Sequence, residues 1–176
     1  YPLHIIHGYR MIGAPAIKFL NAISDSNITQ LEKMRGVSKK RIKGVPVSAL
    51  ILKTMLELGE NKNIIFSAFG LREGCVYDRL SVEEQKQDPL IISCKKIASN
   101  SQRFTLTDSE LEGWVLPLFT QIDLDDKRLL KAICILSDFA WVNHPSYRGE
   151  QAFLKVLRIP SVGLTHEDRV FMALAV

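Results

Sequence analysis

Between residues 81 and 89 the chain changes character, and that change limits the folds open to it. Glu83, Glu84, Gln85, Lys86, Gln87 and Asp88 follow one another ahead of Pro89, a polar run of the kind that separates structural units. Upstream, short apolar stretches suited to strands are interleaved with helical spacing. Downstream no strand-like alternation persists, and helical patterns recur at 90–99, 108–120, 125–139, 146–157 and 166–175. Thr107 or Asp108 is expected to cap one of these helices. Thr165 is expected to cap the last, with Glu167 and Asp168 in a first turn where carboxylates favour the dipole. The pattern predicts an α/β part over residues 1–85 and an all-helical part over residues 86–176.

Within the α/β part, residues 3–7 read as a strand, with His4 and His7 on opposite faces of it in structural roles. A helix is expected over 15–24 with Ile17, Leu20 and Ile23 near one face, and a second over 28–35 capped by Asn27. From 46 to 57, Val47, Leu50, Ile51, Met55 and Leu58 recur at helical spacing, and Gly59 provides a stop. That apolar face is expected to pack on a following strand at 64–67. Burying the strand's three large side chains would contribute roughly 1.5–3 kcal/mol each before entropy is charged against it.

After that strand, residues 67–77 carry two glycines around the adjacent pair Arg72 and Glu73, which predicts a polar turn running into a helix. Small residues let a ligand approach the backbone, and a helix start offers free N–H groups to phosphate oxygens. Upstream, Lys39, Lys40, Arg41 and Lys43 fall within five residues. Such a cluster is most often a solvated face; the planar guanidinium of Arg41 could also hold phosphate through two parallel hydrogen bonds, which lysine cannot do in the same way, and Lys39 and Lys40 would act at longer range.

Composition narrows the class. With 47% hydrophobic and 24% charged residues the chain is that of a folded globular protein and not of a disordered one. No apolar run reaches the roughly 18–20 residues that cross a bilayer, and the first residues lack the pattern of a signal peptide. Cys75, Cys94 and Cys134 show no paired spacing, which speaks against a zinc knuckle or a disulfide framework and fits reduced, cytoplasmic thiols. A net charge of +4 is compatible with a polyanionic partner. Trp114 and Trp141 sit among helical apolar residues and read as core or interface anchors, and no motif indicates specific nucleic-acid recognition.

Two separated blocks carry a family resemblance. Ser67-Ala68-Phe69-Gly70-Leu71-Arg72-Glu73-Gly74, with Gly36-Val37-Ser38-Lys39-Lys40-Arg41 and Pro46-Val47-Ser48-Ala49-Leu50-Ile51-Leu52 before it, resembles the last part of the actin-like core of exopolyphosphatases and guanosine pentaphosphate phosphatases, the Ppx/GppA family. Further on, the stretches at 134–141 and 144–153 resemble the helical domain that follows that core. The resemblance implies a C-terminal part of an actin-like (ribonuclease H-like) phosphatase lobe over 1–85, followed by an HD-like helical domain over 86–176. It implies hydrolysis of the terminal phosphoanhydride of polyphosphate or guanosine pentaphosphate with Mg2+. It also implies a phosphate cleft shaped by Arg41, Gly70, Arg72, Glu73 and Gly74. The family's water-activating glutamate and phosphate loops lie upstream of the matched motifs, so the chain is expected to be a C-terminal fragment that is inactive alone.

Ser137-Asp138 stands where HD-type metal-dependent phosphohydrolases carry an adjacent His-Asp pair. Asp138, His144 and His166 are possible metal ligands but do not make a full set. Residues 144–148 read as a polar loop before a helix, with Ser146 as its cap and Arg148 open to an anion. Two alternatives to the phosphatase reading follow: a noncatalytic helical module that binds a polyanion or a partner subunit, including a second copy in a homodimer, and a surviving HD metallohydrolase.

Overall fold

The computed structural model describes residues 3–34, 36–59, 63–100 and 108–176. In chain order the elements are β1 Arg10–Ile12, α1 Gly13–Ser24, α2 Ile28–Glu32, α3 Val45–Leu58, β2 Asn63–Ile65, α4 Leu71–Tyr77, α5 Val82–Gln85, α6 Pro89–Ser99, α7 Asp108–Val115, α8 Leu124–Leu136, α9 Arg148–Leu157 and α10 His166–Ala175. By compactness the chain divides after Phe66: one unit is Tyr9–Phe66, the other joins Tyr1–Gly8 to Ser67–Val176. Residues 67–85 therefore keep company with the helices.

In the unit Tyr9–Phe66, β1 and β2 pair antiparallel with Met11 opposite Ile64. Ala16, Leu20 and Ile23 on α1 are buried together with Leu31, Ile42, Ala49 and Leu56. The cap expected at Asn27 forms as a reciprocal box: Asn27 Oδ1 accepts from the Gln30 N–H at 2.9 Å, and Gln30 Oε1 accepts from the Asn27 N–H at 2.9 Å.

Three expectations for this part are corrected. Residues 3–7 form turns and bends, not a strand; His4 at φ +53° and Gly8 at φ +78° put left-handed kinks where a strand needs extended backbone. In β2, Ile64 is half-buried while Ile65 is 69% exposed, because a two-stranded sheet with one covered face shelters only alternate residues. The expected triple burial does not occur. In α3 the face marked by periodicity lies in solvent, with Leu50 51%, Met55 63% and Leu58 82% exposed. The helix instead buries Ala49 and Leu56 and packs against α1. Among the described residues the only sheet is this two-stranded one, so the actin-like lobe is not evidenced here.

The helical unit is the better-filled part. The helix pairs α6 with α8, α9 with α10 and α8 with α10 surround a core that includes Leu90, Cys94, Leu136, Phe139, Val156 and Met172. Helix α8 buries Leu129, Leu130, Ala132, Cys134, Ile135 and Leu136, a broad arc that fits its contacts with α6, α7 and α10. The expected helix at 108–120 stops at Val115 and tightens into a 3-10 turn over Leu116–Leu118, where Pro117 supplies no N–H. The helix expected at 146–157 begins with a 3-10 turn over Pro145–Tyr147, capped by His144 and not by Ser146: the His144 Nδ1 accepts from the Ser146 N–H at 3.2 Å. At Thr165 the cap is as expected, its Oγ1 accepting from the Asp168 N–H at 3.1 Å while the Asp168 carboxylate accepts from the Thr165 N–H at 2.9 Å. The expected cap at Thr107 lies outside the described residues. Trp114 is 85% exposed and is no core anchor.

One ion pair ties three parts of this unit together. Asp88 caps α6 by accepting from the Leu90 N–H at 2.8 Å, and the Arg128 fork on α8 grips the same carboxylate, with Nη2 to Oδ1 at 3.0 Å. Arg128 also donates to the Gly163 carbonyl at 3.0 Å, fixing the turn between α9 and α10.

Candidate functional site

The glycine-flanked turn is built from its own backbone outward. Phe69 N–H donates to Ser67 Oγ at 3.0 Å, and Ala68 N–H donates to His7 Nδ1 at 3.1 Å. His7 packs edge-to-face on Phe69 with ring centroids 5.0 Å apart. Its pKa is lowered by burial and by the nearby Arg169 charge, against a weaker opposing effect of the Ser161 backbone. A neutral imidazole suits this position, since Nδ1 must accept and not donate. Two glycines frame the approach: Gly8 at φ +78° has the Leu164 carbonyl where a Cβ would sit, and Gly70 ends the turn as the N-cap residue of α4.

Helix α4 then starts, and its first free donor is already used. Glu73 Oε2 accepts from the Gly70 N–H at 2.7 Å, and this bond holds the carboxylate below its ordinary pKa. The turn thus carries its own anion on one of the N–H groups expected to face phosphate. Gly70, Arg72, Glu73 and Gly74 line one groove of about 590 Å3, whose remaining wall is carbon-rich: Phe69, Val76, Tyr77, Leu80 and Val162. Arg72 is exposed and has no ion-pair partner among the described residues.

Arg41 belongs to the other unit, directly before the 3-10 turn Ile42–Gly44. Its N–H donates to the Ser38 carbonyl at 2.9 Å, and its guanidinium is exposed with no carboxylate partner among the described residues. Four of the five expected cleft residues therefore meet around one groove. The fifth is held by a separate compact unit.

The HD-type residues are dispersed over three local structures: Asp138 in the turn after α8, His144 as a cap, and His166 at the first position of α10. No group of three or more His, Cys, Asp or Glu side chains gathers as a metal set among the described residues. Among the described residues no such set is offered to magnesium either, and no chemical step is assigned to one. Cys94 and Cys134 are buried free thiols; burial, helped by the Asp88 charge, pushes Cys94 up to about 12, which removes it as a nucleophile.

Two features escape sequence reasoning. Arg169 on α10 is 1% exposed, and its guanidinium donates to the Ile159 and Ser161 carbonyls. Burial lowers its pKa; nothing in its neighbourhood in sequence announces an interior arginine. On α9, Arg148 lies over the Trp141 ring at 3.7 Å and donates to the Asn143 carbonyl at 3.3 Å. The spacing of Arg148, Gln151, Lys155 and Arg158 is a sequence signal for one helical face that could have been read.

No helix among the described residues is long and apolar enough to cross a membrane. No curated protein matches the chain. The family model described as exopolyphosphatase, C-terminal, matches residues 97–176, which are α7 to α10 with the end of α6 and the segment between α6 and α7. Through these residues, a little under half of the chain, the helical part is similar to the C-terminal portion of exopolyphosphatases.

Proposed function

We propose that this chain is the C-terminal part of a phosphatase that hydrolyses the terminal phosphoanhydride of inorganic polyphosphate or guanosine pentaphosphate. The observation that carries the reading is the family match over residues 97–176. In such a reaction water adds to the terminal phosphorus and the bridging P–O bond breaks, leaving orthophosphate and a chain shorter by one phosphate. The protein contributes positioning and charge stabilisation, because the transferred group spreads negative charge over its equatorial oxygens. Arg41 and Arg72 suit that role, since each is exposed, each lacks a carboxylate partner among the described residues, and each can present two parallel N–H donors. Gly70 and Gly74 leave room for phosphate against the backbone, and Glu73 fixes the turn that aims Arg72.

The 176-residue chain by itself is expected to release no orthophosphate from polyphosphate, since none of its residues is assigned the water-activating role. In the full-length enzyme, Arg41→Ala and Arg72→Ala are each expected to lower kcat/KM by about a hundredfold, the cost of one lost transition-state donor. Phosphate-release kinetics that are unchanged in both variants would remove the cleft assignment. Robust turnover by the chain alone would overturn the division of labour proposed for it.

A further inference from the structure

One histidine joins distant parts of the helical unit. The left-handed turns at His4 and Gly8 bring residues 3–8 back onto it, and Gly8 passes the Leu164 carbonyl so closely that a Cβ would stand 2.4 Å from the oxygen. His7 is thereby set among the glycine turn, the loop before α10 and α10 itself. Its Nδ1 accepts from the Ala68 N–H at 3.1 Å, and its ring packs edge-to-face on Phe69. An accepting Nδ1 puts the single proton of the neutral ring on Nε2, which is closed off from water and has no hydrogen-bond partner among the described residues.

These surroundings suit a neutral ring and not a cation. Burial disfavours a charge on His7, and the buried Arg169 guanidinium on α10 adds repulsion. The Ser161 backbone pulls the other way and is the weakest of the three. The turn 67–69 and the loop 159–164 carry no titratable side chain. On α10 the Asp168 carboxylate is engaged by the Thr165 N–H and acts on Arg169 and Arg128, while Glu73 on α4 is turned to the Gly70 N–H. Among the described residues no carboxylate acts on His7 from any of these elements.

We propose that His7 is a proton-operated latch on the glycine turn: the neutral ring fastens residues 67–70 to the segment 3–8 and through it to the loop before α10, and protonation releases them. The charged ring carries a proton on Nδ1 as well, so its contact with the Ala68 N–H changes from a hydrogen bond to two donors facing each other. A second cation then stands near Arg169 with no anion to share. Ala68 is exposed, so its N–H can turn to water instead. Helices α4 and α5 bury no side chain, and once the latch opens little else holds residues 67–85 in place. Phe69 lines the groove beside α4, and Gly70 starts the helix that carries Arg72, so release reshapes that groove. The latch does not depend on what the groove binds.

The test is NMR of the intact chain titrated from about pH 8 to about pH 5, following the His7 ring nitrogens and the Ala68, Phe69 and Gly70 amides across the histidine range. At the upper end the ring should show the tautomer protonated on Nε2. As pH falls, the three amides should shift together with the His7 ring at one midpoint, below the ordinary histidine value of about 6.5. The latch is full above that ordinary value and is lost as pH falls through the lower folded one. His7→Gln keeps a neutral oxygen able to accept from the Ala68 N–H and cannot titrate, so the same amides should no longer respond to pH. The methyl signals of the fully buried Leu136 and Met172 should stay unchanged throughout, since the release is local. A ring protonated on Nδ1 at the upper end, amides that ignore the His7 titration, a response that persists in His7→Gln, or loss of the Leu136 and Met172 signals at the same midpoint would each overturn the proposal.

Discussion

The two compact units use apolar residues differently. In the helical unit, the helices expected from periodicity find partners: Leu90, Leu136 and Met172 are fully buried, and α8 is packed by α6, α7 and α10. In the unit Tyr9–Phe66, α3 offers an equally regular apolar face, yet Val47, Leu50, Ile51, Met55 and Leu58 all stand in solvent while Ala49 and Leu56 meet the core. Periodicity tells which residues share a face. It does not tell whether anything covers that face.

The contrast can be broken by mutation. The largest effect is expected at the centre of the helical unit, where Leu136→Ala removes a fully buried side chain and should cost about 2–5 kcal/mol. Its counterpart Leu50→Ala, at a residue 51% exposed, should stay within about 0.5 kcal/mol. Chemical denaturation of both variants checks the pair; equal losses would mean that the α3 face is covered after all.

Next in size is Gly8→Ala. The added Cβ would sit 2.4 Å from the Leu164 carbonyl oxygen, at φ +78°. The strain should cost about 1–3 kcal/mol. Thermal unfolding of the variant tests whether residues 3–8 are fastened to the helical unit, and an unchanged Tm would show that they are not.

A smaller, pH-dependent effect belongs to Asp88. Burial works to raise its pKa, but the Arg128 hydrogen bond and the Leu90 and Ile91 N–H bonds outweigh it, so the carboxyl sits below its ordinary value. The stability it contributes is full above the unfolded value of about 3.9 and is lost as pH falls through the folded value. Urea unfolding measured from pH 6 to pH 2 should show that loss in the parent and a flatter acid limb in Asp88→Asn; parallel curves would refute the assignment.

Much of the fold is legible in the sequence because local chemistry decides it. Asn27 with Gln30, and Thr165 with Asp168, are caps whose partners lie three residues away, so the sequence contains the whole interaction. Pro117 is equally local, yet it shortens a helix whose periodicity runs past it. What escapes is nonlocal. The Ala68 N–H is held by His7, 61 residues away, and Asp88 by Arg128, 40 residues away. Residues 3–7 have strand-like composition, but the left-handed turns at His4 and Gly8 bend them onto another part of the chain. In the candidate site, glycine spacing and resemblance single out Gly70, Arg72, Glu73 and Gly74, which share a groove, and Arg41, which does not line it; neither indicates that Glu73 occupies the Gly70 N–H or that the groove wall is largely carbon.

The functional account turns on whether the groove beside α4 takes a phosphate ligand. Titrating inorganic tripolyphosphate into the intact chain while following the Arg72 Nε–H and the Gly70 and Gly74 amide resonances addresses this directly. The account predicts that these signals shift together with one dissociation constant. No shift at Arg72, with the ligand bound elsewhere or not at all, would contradict it.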